Sequence, residues 1–247
     1  MEHPQIRTEL LVGKQGLEEL AGSRILVVGL GGVGAYAAES LARGGVGRMT
    51  IVDHDLVSIS NLNRQLCALR STLGRPKARV MAERLLDINP LLDLTVLDQF
   101  IMPDEAPGLI RRGGYDFVAD CIDTVASKAA LIAAARQVGV PLISSLGAGN
   151  RLDPAQVKFG YLDETTGDGV ARALCKQLRP LGVDLHVPAI YSTEPSRAPA
   201  ESAIAQDEIN GSMGRAVNGS ISYLPAIFGL TMSGAIIRSL LGFTLPR

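Results

Sequence analysis

Apolar runs at regular intervals indicate buried parallel strands in the first half of the chain. Arg24–Val28 and Arg48–Asp53 each carry a continuous apolar or β-branched run after an initial arginine, which is typical of strands covered on both faces. Val33–Arg43 lies between them and has the spacing of a helix. These segments predict a βαβ unit, preceded by a short lead-in helix over Lys14–Ala21.

The same alternation continues as far as Gly149. It predicts helices over Lys77–Ile88, Asp104–Arg112 and Thr124–Val138, and strands over Leu94–Leu97, Phe117–Ala119 and Pro141–Ser145. Helices that alternate with short apolar strands are typical of an α/β fold. We therefore predict a Rossmann-like, doubly wound and mostly parallel sheet, with a nucleotide-binding core over residues 1–150.

The remainder of the chain is less regular. Strands are predicted at Gln156–Tyr161 and Leu185–Tyr191, a helix at Gly169–Leu178, and a mobile polar loop at Ser192–Asn218. Because 247 residues with 47% hydrophobic side chains are enough for one large α/β domain but not clearly for two, we predict a single domain over 1–247. Residues 151–247 are then an extension of the core.

An uncharged run over Ile221–Ile237 approaches the length of a membrane span, but Ser, Thr, Gly and Pro residues interrupt it. We therefore predict a buried core helix and no membrane span. The N-terminus lacks the basic and apolar regions of a signal peptide, and Cys67, Cys121 and Cys175 include no CxxC pair. A cytoplasmic protein without a disulfide framework is expected. The net charge of −1 restricts any nucleic-acid contact to a local basic patch.

A glycine-rich turn follows the first predicted strand, with Gly29, Gly31, Gly32 and Gly34 in the order GxGGxG. Such a turn lets the backbone approach phosphates, and the helix N-terminus behind it favours anions. Asp53 ends the next strand, where an acid can hold a ribose hydroxyl. The pattern fits NAD, FAD or ATP, and a tight turn for packing alone is the alternative.

A polar cluster beyond the second strand favours a triphosphate. Asp55, Asn61, Arg64 and Gln65 follow closely, and Lys77 lies at the start of a predicted helix. Arg64 and Lys77 are suited to neutralise charge as pyrophosphate leaves; solvated surface charges are the alternative interpretation.

Asp123 follows the strand at Phe117–Ala119 and is suited to hold Mg²⁺ on the phosphates, or to cap the helix that starts at Thr124. Because the carboxyl ends of parallel strands share one edge of a sheet, we expect Asp53, Arg64 and Asp123 to converge there.

Four motifs together, GxGGxG, DxDxVxxSNLNRQ, GxxKA and DxxD, resemble the ThiF/MoeB/HesA group, relatives of ubiquitin-activating enzymes that attach AMP to carboxylates. The likeness covers nearly the whole chain up to Gly149. It implies ATP and Mg²⁺ as cofactors, with ribose bound by Asp53 and the metal by Asp123. It also implies that the phosphates are bound by Asn61, Arg64 and Lys77.

The resemblance further implies that Arg7 reaches across a homodimer interface to the partner's γ-phosphate. A surface position in a flexible N-terminus is the alternative for Arg7. Arg7-Thr-Glu-Leu-Leu, Tyr191-Ser-Thr-Glu194 and Asn218-Gly-Ser-Ile-Ser-Tyr-Leu-Pro-Ala look like the branch that acts on tRNA bearing threonylcarbamoyladenosine. In that branch the threonyl carboxylate is adenylylated, and the carbamoyl nitrogen closes a hydantoin ring without an enzyme nucleophile.

Two rival functions stay open at this point. One is activation of a ubiquitin-like sulfur-carrier protein, with a possible sulfur-transfer partner; the other is a non-catalytic NAD-binding domain. Cys175 is interpreted as a packing residue rather than a nucleophile. Arg172, Lys176 and Arg179 recur at helical spacing, and they form either a solvated stripe or a surface for tRNA phosphates.

Overall fold

The computed structural model describes residues 4–197 and 218–244. The elements are, in chain order, α1 (Ile6–Gly22), β1 (Arg24–Val28), α2 (Gly34–Gly44), β2 (Arg48–Val52), α3 (Lys77–Ile88), β3 (Asp93–Leu97), α4 (Ala106–Gly113), β4 (Phe117–Asp120), α5 (Val125–Val138), β5 (Leu142–Ser145), β6 (Val157–Tyr161), α6 (Gly169–Leu178), β7 (Pro188–Ser192) and α7 (Leu224–Leu240). Short 3₁₀ turns lie between several of them. The predicted strands and helices are therefore present, and most of their ends lie within one residue of the predicted positions.

The described strands form one seven-stranded sheet in the order β3-β2-β1-β4-β5-β7-β6. All neighbouring pairs are parallel except β6 and β7. Alternate residues of β1 enter two cores: Ile25 and Val27 pack with α2, α3 and α7, whereas Leu26 and Val28 pack with α4, α5 and α6. Helices thus cover both faces, which confirms the doubly wound α/β prediction.

The lead-in helix begins earlier than the sequence pattern predicts. Helix α1 starts at Ile6 and bends at Gly13, which has a left-handed φ of 73°. Before the bend, Leu10 and Leu11 are 85% and 86% exposed. The prediction started at Lys14 because the amphipathic pattern that marks a core-facing helix begins only after this glycine.

Helix α7 confirms the prediction of a buried core helix from the uncharged run. It packs closely on α2: a Cβ atom at Gly229 would lie 2.3 Å from the carbonyl oxygen of Val33. The Ser233 hydroxyl also donates to Ser40 Oγ over 2.8 Å. None of the helices in the two described ranges has the length and apolarity needed to cross a bilayer.

The predicted loop at Ser192–Asn218 begins too early, since Ser192 is the last residue of β7. Glu194 is buried, and its Oε2 accepts hydrogen bonds from the backbone N–H groups of Leu152 and Asp153, each over 2.7 Å. These bonds anchor the chain just after β7. Residues 198–217, the rest of the predicted loop, lie outside the described part of the chain.

Candidate active site

A cavity of about 360 Å³ lies at the carboxyl ends of β1, β2, β4 and β5. The chain runs from β1 to β2 on one side and later returns to β4 on the other. This reversal is where open α/β sheets bind their ligands. The predicted site residues that line the cavity are Gly29, Gly31, Gly32, Asp53, Asp55, Arg64, Gln65, Lys77 and Asp123.

The glycines of the turn have different physical roles. Gly29 has a φ of 90°, and a Cβ atom there would lie 2.7 Å from the carbonyl oxygen of Cys121. At Gly34, which does not line the cavity, a Cβ atom would lie 1.8 Å from the carbonyl oxygen of Gly29. At Gly31 the first atom met is Gln65 Nε2, at 3.8 Å. The turn is therefore closely packed at Gly29 and Gly34, whereas its backbone at Gly31 is open and a phosphate can approach it there.

Gly34→Ala is expected to destabilise the protein by about 3 kcal/mol, because the new methyl group collides with backbone that cannot move aside. Gly234→Ala is the matched control. It lies inside α7, and a Cβ atom added there would meet no heavy atom within 4 Å, so the alanine should raise stability by roughly 0.5–1 kcal/mol. Urea unfolding of both variants measures the two effects, and equal stabilities would contradict this account of the turn.

Asp53 is buried and organises the turn. Its Oδ2 accepts a hydrogen bond from Leu30 N over 2.6 Å, and its Oδ1 accepts one from Asp55 N over 2.8 Å. Burial raises the pKa of Asp53, and the Lys77 charge opposes that rise. Each carboxylate oxygen retains a second lone pair, so the side chain can still accept from a ribose hydroxyl.

Lys77 is not a solvated surface charge. Its side chain is only 5% exposed, and its Nζ lies 2.7 Å from Asp55 Oδ2. The backbone N–H of Lys77 also donates to the carbonyl oxygen of Asp55 over 2.9 Å. This double attachment fixes a cation in the cavity wall, beside the predicted ribose acid.

Arg64 is partly buried at the cavity and its guanidinium is held by neighbours in the chain. Its Nη1 donates to the Ser60 carbonyl oxygen and to Asn63 Oδ1, each over 2.9 Å. Burial lowers the pKa of Arg64. None of these partners is an anion, so a bound phosphate would be the group that compensates for the lost hydration.

Asn61, unlike Arg64 and Lys77, does not line the cavity. Asn61 is buried, and its Oδ1 accepts from Ser58 N over 3.0 Å, capping the 3₁₀ turn over Ile59–Asn61. The turn leads directly to Arg64. In the structure Asn61 stabilises this turn. A contact between Asn61 and a phosphate stays a prediction.

Asp123 is exposed and lines the cavity just before α5. Mg²⁺ in phosphate sites is held by one or two carboxylates together with phosphate oxygens and water, and Asp123 fits that requirement. The described residues contain a second group of side chains whose ligand atoms lie close enough together to hold a metal ion: Asp53, His54 and Asp55. It fits Mg²⁺ less well, because Asp55 already pairs with Lys77 and imidazole nitrogen is a poor ligand for this ion.

A buried ion pair beneath the cavity was not predicted. Lys128 Nζ lies 2.8 Å from Asp120 Oδ2, and it also donates to Ser144 Oγ over 3.1 Å and to the Ser145 carbonyl oxygen over 3.0 Å. Both charged side chains are fully buried. The pairing with several hydrogen bonds offsets the cost of burying them. The sequence signal that could have indicated this pair is Lys128 itself, a lysine within an otherwise apolar stretch of the predicted helix.

The sequence pattern did not predict a second wall of the cavity either. Gly147, Gly149, Asn218 and Ser220 line it. Asn150 connects its two chain segments: its Nδ2 donates to Asn218 Oδ1 over 3.0 Å, and its Oδ1 accepts from Gly219 N over 2.7 Å. Asn150 has a left-handed φ of 59°, a conformation that asparagine tolerates better than most residues.

All three cysteines lie in surroundings that raise the pKa of a thiol. Burial raises the pKa of Cys121, which lines the cavity, to about 12. Burial raises the pKa values of Cys67 and Cys175 as well. Cys175 packs against a core cluster and does not line the cavity. Activated thiols need lowered pKa values, so the geometry favours packing for Cys175, as interpreted from the sequence.

A doubly wound sheet with a glycine-rich turn and a buried acid at its switch point is typical of Rossmann-like nucleotide-binding proteins. The sequence profile of the ThiF family matches residues 3–247. The chain belongs to the ThiF family.

Relatives cover nearly the whole chain. The tRNA threonylcarbamoyladenosine dehydratase of Bacillus subtilis is 38% identical over 244 residues, which are 98% of this chain and 96% of the relative. The crystal structure of the Escherichia coli tRNA N6-threonylcarbamoyladenosine dehydratase in complex with ATP has a TM-score of 0.86 and 37% identity, and the match covers 96% of this chain and 93% of that one. The molybdopterin-synthase adenylyltransferase of Escherichia coli is 40% identical, but over 60% of this chain and 58% of its own length.

Proposed function

We propose that this protein is an ATP-dependent tRNA threonylcarbamoyladenosine dehydratase. The observation that carries the proposal is the placement of Arg64, Lys77 and Asp123 around one cavity beside the glycine turn. They come from three separate parts of the chain, and together they offer two cations and a carboxylate for a metal–triphosphate. An NAD-binding domain has no need for this set.

The reaction proceeds in two balanced steps. A threonyl carboxylate oxygen attacks the α-phosphorus of ATP, and the bond to the bridging oxygen of pyrophosphate breaks. The carbamoyl nitrogen then attacks the activated carbonyl carbon, loses its proton, and expels AMP as the ring closes. A carboxylate is ionised at neutral pH and needs no general base. The protein therefore contributes position and charge.

The site residues take separate roles in this proposal. Asp53 holds the ribose, and the glycine turn approaches the phosphates through its open backbone at Gly31. Arg64 and Lys77 stabilise the charge that develops on the departing pyrophosphate. Asp123 is the residue that would hold Mg²⁺, which when bound neutralises phosphate charge.

Activation of a sulfur-carrier protein is the second candidate, because sulfur-carrier-activating relatives are similar in sequence too. Their matches cover only about three fifths of the chain. The dehydratase relatives also match the part that contributes β7 and α7. This longer likeness supports tRNA as the substrate, whereas a sulfur-transfer partner stays a prediction.

The test is incubation of the purified protein with ATP, Mg²⁺ and tRNA bearing threonylcarbamoyladenosine, followed by nucleoside mass spectrometry. The expected result is loss of one water from the modified nucleoside, with one AMP and one pyrophosphate formed for each product. An unchanged nucleoside, together with ATP–pyrophosphate exchange that depends on a carrier protein, would contradict the proposal and favour the second candidate.

The proposed tRNA substrate has consequences for the cellular location of the protein and for one of its surfaces. It is consistent with a cytoplasmic location, and the three cysteines are unpaired in the described structure. Arg172, Lys176 and Arg179 are exposed on α6 and just beyond its end. Their charges are suited to tRNA phosphates, which would make substrate binding weaken as salt concentration rises.

We further propose a homodimer in which Arg7 completes the partner's site. Arg7 is exposed on the first part of α1, close in sequence to the solvent-facing Leu10 and Leu11. Large apolar side chains grouped on a surface are typical of a protein interface. A second copy that covers them would bring Arg7 to a neighbouring chain.

Mixing two inactive variants tests this arrangement. Arg7→Ala and Arg64→Ala should each be inactive alone, but an equal mixture of exchanging dimers should recover about a quarter of wild-type activity. Half of the dimers are mixed, and each contains one site with both arginines intact. If the mixture stays inactive although mass measurements show that mixed dimers form, Arg7 does not act across the interface.

A further inference from the structure

A hydroxyl group in the active-site cavity has no partner within the protein. Ser127 Oγ is the one buried side-chain polar atom in the described residues that makes no hydrogen bond. Ser127 is only 1% exposed, and it lines the cavity. A buried hydroxyl without a partner costs free energy, so a ligand that bonds to it in the cavity would remove that cost.

Ser127 belongs to the first turn of α5, a helix of 14 residues that begins at Val125. The first N–H groups of an α-helix have no acceptors within the helix, and they carry the positive end of the helix dipole. The unpaired hydroxyl and the helix N-terminus therefore occupy the same part of the cavity wall.

This part of the cavity is built from other segments than the two cations of the nucleotide site, and Asp123, the proposed Mg²⁺ ligand, lies four residues before Ser127 in the chain. Asp53, Arg64 and Lys77 belong to segments that follow β2, whereas Ser127 and Ser145 follow β4 and end β5. The Lys128 cation beneath them is neutralised by Asp120. The donors available here are the Ser127 hydroxyl and the N–H groups of the first turn of α5, and a carboxylate, which only accepts hydrogen bonds, fits them.

We propose that Ser127 and the first turn of α5 form the subsite for the acceptor carboxylate, the threonyl group of the modified tRNA nucleoside. The inference rests on the proposed function and adds to it the residue that orients the attacking group. The Ser127 hydroxyl donates to one carboxylate oxygen, and the other oxygen is left to attack the α-phosphate.

Ser127→Ala provides the test, with Ser71→Ala, an exposed serine outside the cavity, as the matched control. Dehydration is measured at saturating ATP while the concentration of modified tRNA is varied. Loss of a hydrogen bond to a charged group should lower kcat/KM for tRNA by roughly tenfold or more. ATP affinity, measured by calorimetry, should stay unchanged. The melting temperature should stay equal or rise, because the variant removes an unpaired buried hydroxyl.

The outcomes separate this inference from the proposed function. Wild-type kcat/KM for tRNA in Ser127→Ala, or a loss of ATP affinity that accounts for the whole defect, overturns the subsite and leaves the dehydratase function in place. A wild-type protein that does not convert the tRNA nucleoside overturns the proposed function, and the subsite with it. A selective loss in the tRNA dependence, with a stable fold, supports both.

Discussion

Arg64→Ala should reduce the rate of AMP formation at least about a hundredfold, the effect typical of removing one group that stabilises charge in a transition state. Arg64 contributes a partly buried guanidinium to the cavity wall, and its hydrogen-bond acceptors there are neutral oxygens. The positive charge is therefore available for the departing pyrophosphate. A single-turnover assay with labelled ATP and modified tRNA measures the chemical step directly.

The fold of Arg64→Ala should stay intact. Among the described residues, the guanidinium bonds only to Ser60 and Asn63, which lie in the same turn of the chain, so its removal should leave the core unchanged. Arg70→Ala is the matched control, since Arg70 is exposed nearby but does not line the cavity. Normal turnover by Arg64→Ala, with circular dichroism equal to wild type, would show that the site is wrongly assigned.

Asp123→Asn should produce a loss of similar size, about a hundredfold or more, through the metal rather than through a cation of the protein. The amide has nearly the size of the carboxylate but no charge, so a bound Mg²⁺ would lose its anionic protein ligand. We expect the dependence of the rate on Mg²⁺ concentration to shift to higher values. Titration of Mg²⁺ at fixed ATP and tRNA measures that shift.

Asp87→Asn is the control for this second variant, because Asp87 is an exposed carboxylate on α3 outside the cavity. Its Mg²⁺ titration should match that of the wild type. If Asp123→Asn lost activity with an unchanged Mg²⁺ dependence, Asp123 would act on the substrate or on α5 rather than on the metal.

Much of the cavity wall around Asp53 and Lys77 could be predicted, because local sequence patterns mark the residues that form it. Asp53 follows a buried strand directly, and Lys77 starts a helix, so each position is fixed by an element that the apolar pattern reveals. The burial of Lys77 against Asp55 could not be predicted in the same way. It depends on a contact between residues 22 positions apart, which no spacing in the sequence specifies.

The rest of the cavity wall depends on contacts between more distant segments. Asn150 meets Asn218 across 68 positions, and a Cβ atom at Gly32 would lie 2.9 Å from Pro225 Cβ at the start of α7. Ser127 has an ordinary place in an apolar helix sequence. Only the packing of α5 beside the cavity reveals that its hydroxyl is buried without a partner.

The sequence by itself determined the doubly wound architecture, the glycine turn and the order of the acid and the two cations, because strand and helix periodicity and strand-end residues are short-range properties of the chain. The tertiary structure alone decided which polar groups are buried, which are paired, and where the cavity has its second wall. Burial and pairing depend on segments far apart in the chain that meet only when the sheet and its two helical layers assemble.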